Sequence, residues 1–331
     1  MERIPFGTLP DGGQAELCIL STPKVRLTVS TLGATIVSLS LPDRYGVWKD
    51  VVLGFDTPDE YMTQPGNLGA TIGRYAGRIG GGQFPLNGKT VQLDRNRGRH
   101  TIHGGPVGFH QKLWTVTELS QQALELELVS PDGDQGFPGT LTSRIRYSLE
   151  DDTLTLDIAA SSDADTVCSI TNHTYWNLAG HESGTIDGHI LCVAAESCLE
   201  TDADTIPTGA YLPLAGTPLD LRQPTRLRGI EADHTFLLAA DGGDPAARLQ
   251  DPESGRWMEL STDLPGVQVY TGNHLPQTLP GKGGAVYGPR GGVCLEPQSY
   301  PDSPNHPHFP STLLRAGREM RHQIRWHFGV E

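Results

Sequence analysis

Apolar and polar residues alternate along much of this chain, and a period of two admits few folds. Val25, Leu27 and Val29 form one such set, Val37, Leu39 and Leu41 another, and Leu124, Leu126 and Leu128 are separated by Glu125 and Glu127. Ile145, Tyr147 and Leu149 repeat the pattern, as do Leu154, Leu156 and Ile158. Successive side chains of a strand point to opposite faces, so each run reads as a half-buried strand with one face on a core. In Phe84-Pro85-Leu86-Asn87-Gly88-Lys89-Thr90-Val91 an Asn-Gly pair stands between two strand-like runs. That is a hairpin signal, because both turn positions need positive φ. The 40 glycines and 25 prolines supply the turns that many short strands require.

Helical periodicity is scarce beyond one possible turn at Thr57–Met62, which disfavours parallel βαβ winding. The expected fold is all-β: one large antiparallel β-sandwich. No repeat or linker divides residues 1–331, so a single domain is expected. The 5 prolines from Pro297 to Pro310 preclude regular structure, and that segment is expected to be a surface loop. Glu296, just before it, would sit where a strand gives way to a loop, a common place for a catalytic group.

Charge narrows the partners. Acidic residues outnumber basic ones by 39 to 25, a formal charge of -14 that repels phosphate backbones and anionic lipid. Neither nucleic acid nor a membrane is an expected partner. No apolar run is long enough to span a bilayer, and Met1-Glu2-Arg3-Ile4-Pro5-Phe6-Gly7 lacks the basic and apolar segments of a signal peptide. A cytoplasmic location is expected. Cys18, Cys168, Cys192, Cys198 and Cys294 form no C-x-x-C pair and read as buried free thiols.

Four polar clusters interrupt the strands: Gly73-Arg74-Tyr75-Ala76-Gly77-Arg78-Ile79-Gly80, Thr101-Ile102-His103-Gly104-Gly105, Asn172 to Leu178, and Val293-Cys294-Leu295-Glu296-Pro297-Gln298. In the third, His173 exchanges protons near neutral pH, and Tyr175 and Trp176 offer apolar faces with polar edges suited to a sugar ring. Taken singly, His173 reads equally as a hydrogen-bonded strand residue, and Arg74 and Arg78 as surface ion-pair partners. There is no phosphate loop, no dinucleotide-binding glycine motif and no nucleophile elbow, which disfavours nucleotide cofactors and serine chemistry. His306-Pro307-His308 could ligate a metal, but without H-E-x-x-H or clustered Cys/His spacing it reads as a solvated loop, and no metal is expected. Acid–base chemistry by histidine and carboxylate remains.

The segments GATIVSLSLPDRYGVWKDVVLGFDTPDEY, GRYAGRIGGGQFPLNG, HTIHGG, NHTYWNL, ADHTFLL, GVQVYTGN and GVCLEPQSYPDSPNHPHFP, in this order from about Gly33 to Pro310, resemble those of the aldose 1-epimerase (galactose mutarotase) family. The resemblance implies that family's large antiparallel β-sandwich, the galactose mutarotase-like supersandwich, with no metal and no organic cofactor. It puts the general acid at His173 and the general base at Glu296, with sugar ligands at Arg78, His103, Asp233 and Gln268 and with Tyr175 beside them. Gly77 departs from the pattern, since many members have Asn before the arginine. The implied substrate is a free monosaccharide such as galactose or glucose, handled by a monomer or homodimer. Activity should then fall at low pH as Glu296 is protonated and at high pH as His173 loses its proton. Three alternatives stay open. A hexose-6-phosphate 1-epimerase would call on Arg95, Arg97 and Arg99 for the phosphate. A carbohydrate-binding protein of the same fold would have no turnover, and a glycoside hydrolase would need a second carboxylate.

Overall fold

The computed structural model describes residues 2–239 and 244–331. The alternating runs are strands of antiparallel sheets. The largest sheet has nine strands, in the order Thr115–Leu119, Ala123–Ser130, Leu141–Glu150, Thr153–Ser162, Glu319–Val330, Arg256–Thr262, Ala247–Gln250, Ile190–Val193 and Thr225–Arg226. Its register lines Leu126 up with Ile145 and Ile145 with Ile158, so the apolar set makes continuous rows. All three are buried, while Arg144 and Glu127 pair on the solvated face. Truncating Ile145 to alanine would cost about 2–5 kcal/mol, because lost transfer energy and an unfilled cavity add.

A second sheet of six strands runs Tyr175–Trp176, Val293–Gln298, Gly266–Tyr270, Asp233–Leu238, Ala195–Thr201 and Pro207–Pro213. Here period two separates core from site. Val267, Val269, Leu295 and Phe236 point into the core that this sheet shares with the nine-stranded one and with a five-stranded sheet spanning Glu2–Asp50. Gln268, Glu296, Asp233 and Thr235 therefore share the opposite face. Cross-strand register sets Gln268 opposite both Glu296 and Thr235, so three polar side chains lie in one row.

The helical turn expected near Thr57 is the helix Pro58–Thr63, started by a reciprocal capping box between Thr57 and Glu60 and by a proline in its first turn. Asn87 and Gly88 both have positive φ, at 50° and 74°, and close the expected hairpin between Gln83–Leu86 and Lys89–Gln92. Four of the five cysteines are buried free thiols and Cys192 is half-buried. No helix among the described residues is long and apolar enough to cross a membrane.

The proline-rich segment corrects the expectation of a surface loop. Pro297 and Gln298 continue the strand, and Pro301, Asp302 and Ser303 are buried. The Asp302 backbone N–H donates to the Arg78 carbonyl at 2.8 Å, and its carboxylate accepts from the Gly80 N–H at 2.8 Å. These bonds pull the loop inward over the arginine segment, leaving only its outer end, with Pro307, His308 and Pro310, in solvent.

Candidate active site

On its polar face the six-stranded sheet forms the floor of a cavity of about 290 Å³, whose walls come from the Arg78, His103 and His173 segments. All seven residues singled out in the sequence, His173, Glu296, Arg78, His103, Tyr175, Asp233 and Gln268, line it. Each arrives by a different local route.

His173 follows the strand Thr171–Asn172 and is tied by its backbone, its N–H donating to Ala70 and its carbonyl accepting from Gly69. Asn172 braces the turn by donating to the Gly69 carbonyl at 2.9 Å and accepting from the Thr174 hydroxyl at 2.6 Å. The imidazole then stacks on Tyr175 at 5.2 Å between ring centroids and stands edge-on to His103 at 5.3 Å. Its Nε2 lies 3.6 Å from Glu296 Oε1, and its Nδ1 lies 3.5 Å from Cys294 Sγ.

His103 is placed by the pairing of Thr101–Ile102 with Arg78–Ile79. Its φ of 54° is rare for a residue with a side chain. The ring reaches back to accept from the Gly77 N–H at 3.3 Å through Nδ1, leaving its other edge to the cavity. The next residue must be glycine: a Cβ on Gly104 would lie 2.0 Å from the Gly73 carbonyl oxygen.

Asp233 and Gln268 act as a unit. Gln268 donates to Asp233 at 2.7 Å and accepts from the Thr235 hydroxyl at 2.6 Å, which orients the amide with one N–H to spare. Arg78 Nη2 is 3.6 Å from Asp233, and Arg78 Nε has no partner among the described residues. Glu296 is 2% exposed, and its Oε2 is likewise without a partner.

Burial dominates the electrostatics. It pushes the Glu296 carboxyl well above the usual carboxylate range, aided by the charge of Asp233 and opposed by that of Arg78. It pushes the His173 imidazole down to about 4. His103 is also held well below its ordinary value, by desolvation first and by His173 and Arg78 after it. When the His173–Glu296 pair holds one dissociable proton, burial thus favours it on the carboxyl rather than on the imidazole. The sequence-based expectation had the charges the other way, a carboxylate beside an imidazolium; sequence does not reveal desolvation.

His173, Cys294 and Glu296 lie within reach of a shared metal ion. However, the imidazole turns a different nitrogen to each of the other two, Nε2 to Glu296 and Nδ1 to Cys294. Burial also holds the Cys294 thiol far from its thiolate form. The arrangement suits proton transfer better than chelation. His306 and His308 instead meet the Pro207 and Gly209 carbonyls at 3.1 and 2.9 Å, anchoring the proline-rich loop to the sheet edge. Of the three arginines weighed for a phosphate, only Arg97 reaches the cavity, whereas Arg99 pairs with Asp204 at 3.2 Å. Arg74, expected at the surface, is 2% exposed and lies outside the site. Tyr270, Cys294 and Gln298 were overlooked as individual site residues. Counting two residues from Gln268 and from Glu296 along the same strand face finds all three.

The family model for aldose 1-epimerase matches residues 16–327. The chain belongs to the aldose 1-epimerase family. It is 40% identical to the galactose mutarotase of Sus scrofa over 99% of this chain and 98% of that one, and 34% identical to the aldose 1-epimerase of Escherichia coli over 97% of each. Its activity is accordingly that of an aldose 1-epimerase, an isomerase. Among solved structures, a GalM/aldose epimerase homologue from C. elegans superposes with a TM-score of 0.91 at 28% identity, covering 96% of this chain and 99% of that one. A galactose 1-epimerase from Lactobacillus acidophilus does so at 0.86 and 27%, covering 99% and 98%. The all-β sandwich expected from strand patterning, and the family fold that the resemblance implied, agree with these neighbours.

Proposed function

We propose that the cavity interconverts the α- and β-anomers of a free hexose such as galactose or glucose, with Glu296 as base and His173 as acid. One observation carries this reading: a buried imidazole and a buried carboxyl 3.6 Å apart, the carboxyl with one oxygen unpartnered, among polar groups able to hold hydroxyls. Glu296 takes the proton from the C1 hydroxyl. The O1 electron pair forms the C1 carbonyl, the C1–O5 bond breaks, and its electron pair on O5 takes a proton from His173. Rotation about C1–C2 presents the other carbonyl face, and ring closure returns both protons. For the forward step the pair's proton must stand on His173, so transfer from carboxyl to imidazole precedes or accompanies ring opening. Each positioned proton-transfer group supplies about 10²–10⁴-fold.

Arg78 and His103 sit where they can stabilise charge developing on O5. Asp233 and the spare N–H of Gln268 suit sugar hydroxyls, and the Tyr175 ring supports the imidazole. The shared core of the three large sheets supports reading residues 1–331 as one domain. A sugar phosphate is less well served, since Arg97 is the one arginine of its group at the rim. Polarimetry of freshly dissolved α-D-galactose tests the proposal: the protein should speed the approach to anomeric equilibrium, and a trace identical to buffer alone refutes it.

A further inference from the structure

We infer that Gln298 is a further sugar-binding residue, whose side-chain carbonyl accepts a hydrogen bond from the hydroxyl on C2 of the hexose. The inference rests on the reading of Glu296 and His173 given above. Gln298 lines the cavity and is 1% exposed, yet no donor among the described residues reaches its Oε1. A buried amide oxygen without a partner is costly to leave, and a site that binds polyols offers donors to it.

Its position says which hydroxyl. Cys294, Glu296 and Gln298 follow one another on the same face of the strand Val293–Gln298. His173 lies against Cys294, at one end of this row, and Gln298 is at the other. A pyranose with its C1 hydroxyl at Glu296 and its ring oxygen toward His173 leaves C1 in the opposite direction through C2. The C2 hydroxyl is then carried toward Gln298. Across the sheet from Gln298 the register places Gly266, over which the Tyr300 ring packs, so no neighbouring side chain of that row competes for the amide.

The test compares galactose with 2-deoxygalactose in the wild-type enzyme and in Gln298→Met, which keeps the length of the side chain but cannot accept the bond. Wild-type kcat/KM should fall roughly tenfold on removal of the C2 hydroxyl. Gln298→Met should lose about the same factor on galactose, mainly through KM, and almost nothing on 2-deoxygalactose, so that its discrimination vanishes. Its thermal midpoint should not fall, because a packing role would lower it and loss of an unpaired oxygen does not. The wild-type comparison requires no variant: equal turnover of the two sugars overturns the inference. So does a folded Gln298→Met that keeps the wild-type preference. A wild-type protein that accelerates neither sugar refutes the mutarotase reading itself, a result distinct from both.

Discussion

Arg74 and Arg78 stand four residues apart in one glycine-rich motif, and the protein treats them oppositely. Arg74 is buried with all five of its N–H groups engaged: Nε on the Ser130 hydroxyl, Nη1 on the Pro138 and Gly139 carbonyls, and Nη2 on the Ser130 and Pro131 carbonyls. Lys282 is built the same way, its ammonium donating to the Val37 and Val52 carbonyls and to the Asp50 carboxylate at 2.6–2.9 Å. Arg78, Glu296 and Gln298 instead each keep a buried polar atom without a partner among the described residues, and all three line one cavity. Unpartnered atoms also occur away from the cavity, as at Ser143 and Trp326, so it is an open hydrogen-bonding position together with a place in the cavity wall that suits a group to a ligand, whereas the full satisfaction of Arg74 and Lys282 suits them to holding the fold.

That division predicts which substitutions touch chemistry and which touch stability. The largest effect should come from Glu296→Gln, with kcat down about 10²–10⁴-fold. The amide is nearly isosteric and relieves a desolvated carboxyl, so the thermal midpoint should hold or rise. Wild-type mutarotation rates from a folded Glu296→Gln protein would break the division on its catalytic side. Lys282→Met should do the reverse. It strands Asp50 and two carbonyls, at a cost of about 3 kcal/mol, while activity per folded molecule stays at the wild-type level. Denaturant melts alongside polarimetry separate the two quantities, and a Lys282→Met enzyme as stable as the parent would break the division on its structural side.

Strand patterning exposed most of the fold because the nine-stranded sheet has one wet face, so its apolar rows alternate with residues such as Glu125 and Glu127. The helix at Thr57 was legible through its capping box, and the hairpin at Asn87-Gly88 through its turn chemistry. The proposed acid–base pair was legible only through resemblance, since nothing in NHTYWNL or CLEPQ says that the fold will bring those side chains within 3.6 Å. The different fates of Arg74 and Arg78 were not legible, because both lie in the same local sequence and only tertiary contacts supply the carbonyls that surround Arg74. Prolines correctly signalled the end of the strand near Pro297. They could not signal that Asp302 would accept the Gly80 N–H and fold the loop inward.

Gly77 allows a finer test of how the site wall is built. Its φ is 74°, and a Cβ there would lie 2.8 Å from Cγ and 3.0 Å from Cβ of the buried Pro301. Asparagine tolerates the left-handed backbone, so the collision with Pro301 dominates, and Gly77→Asn should cost about 1–2 kcal/mol. Adding Pro301→Ala should recover at least about 0.5 kcal/mol of that loss, a coupling that a double-mutant cycle reads directly. Strictly additive penalties would mean that Pro301 does not occupy the space an asparagine side chain needs here.

The smallest expected change is the most pointed, because it is nearly no change at all. With His173 lowered to about 4 and Glu296 raised, the form of the pair carrying one proton keeps that proton on the carboxyl. At the acid limb, near 4, His173 takes up a second proton while Glu296 is still protonated, and the base is lost. At the alkaline limb the pair's last proton leaves, and that limb belongs to the raised carboxyl rather than to an ordinary imidazole. This reverses the order in which unperturbed residues would titrate. Between about pH 6 and about pH 8, kcat/KM should therefore lack the loss of roughly tenfold or more that an imidazolium acid with an unperturbed value of about 6.5 would impose. Measured after subtraction of the buffer- and hydroxide-catalysed rate, a steep fall across that interval would show that His173 titrates as an ordinary solvated imidazole and that its burial leaves the reacting pair unshifted.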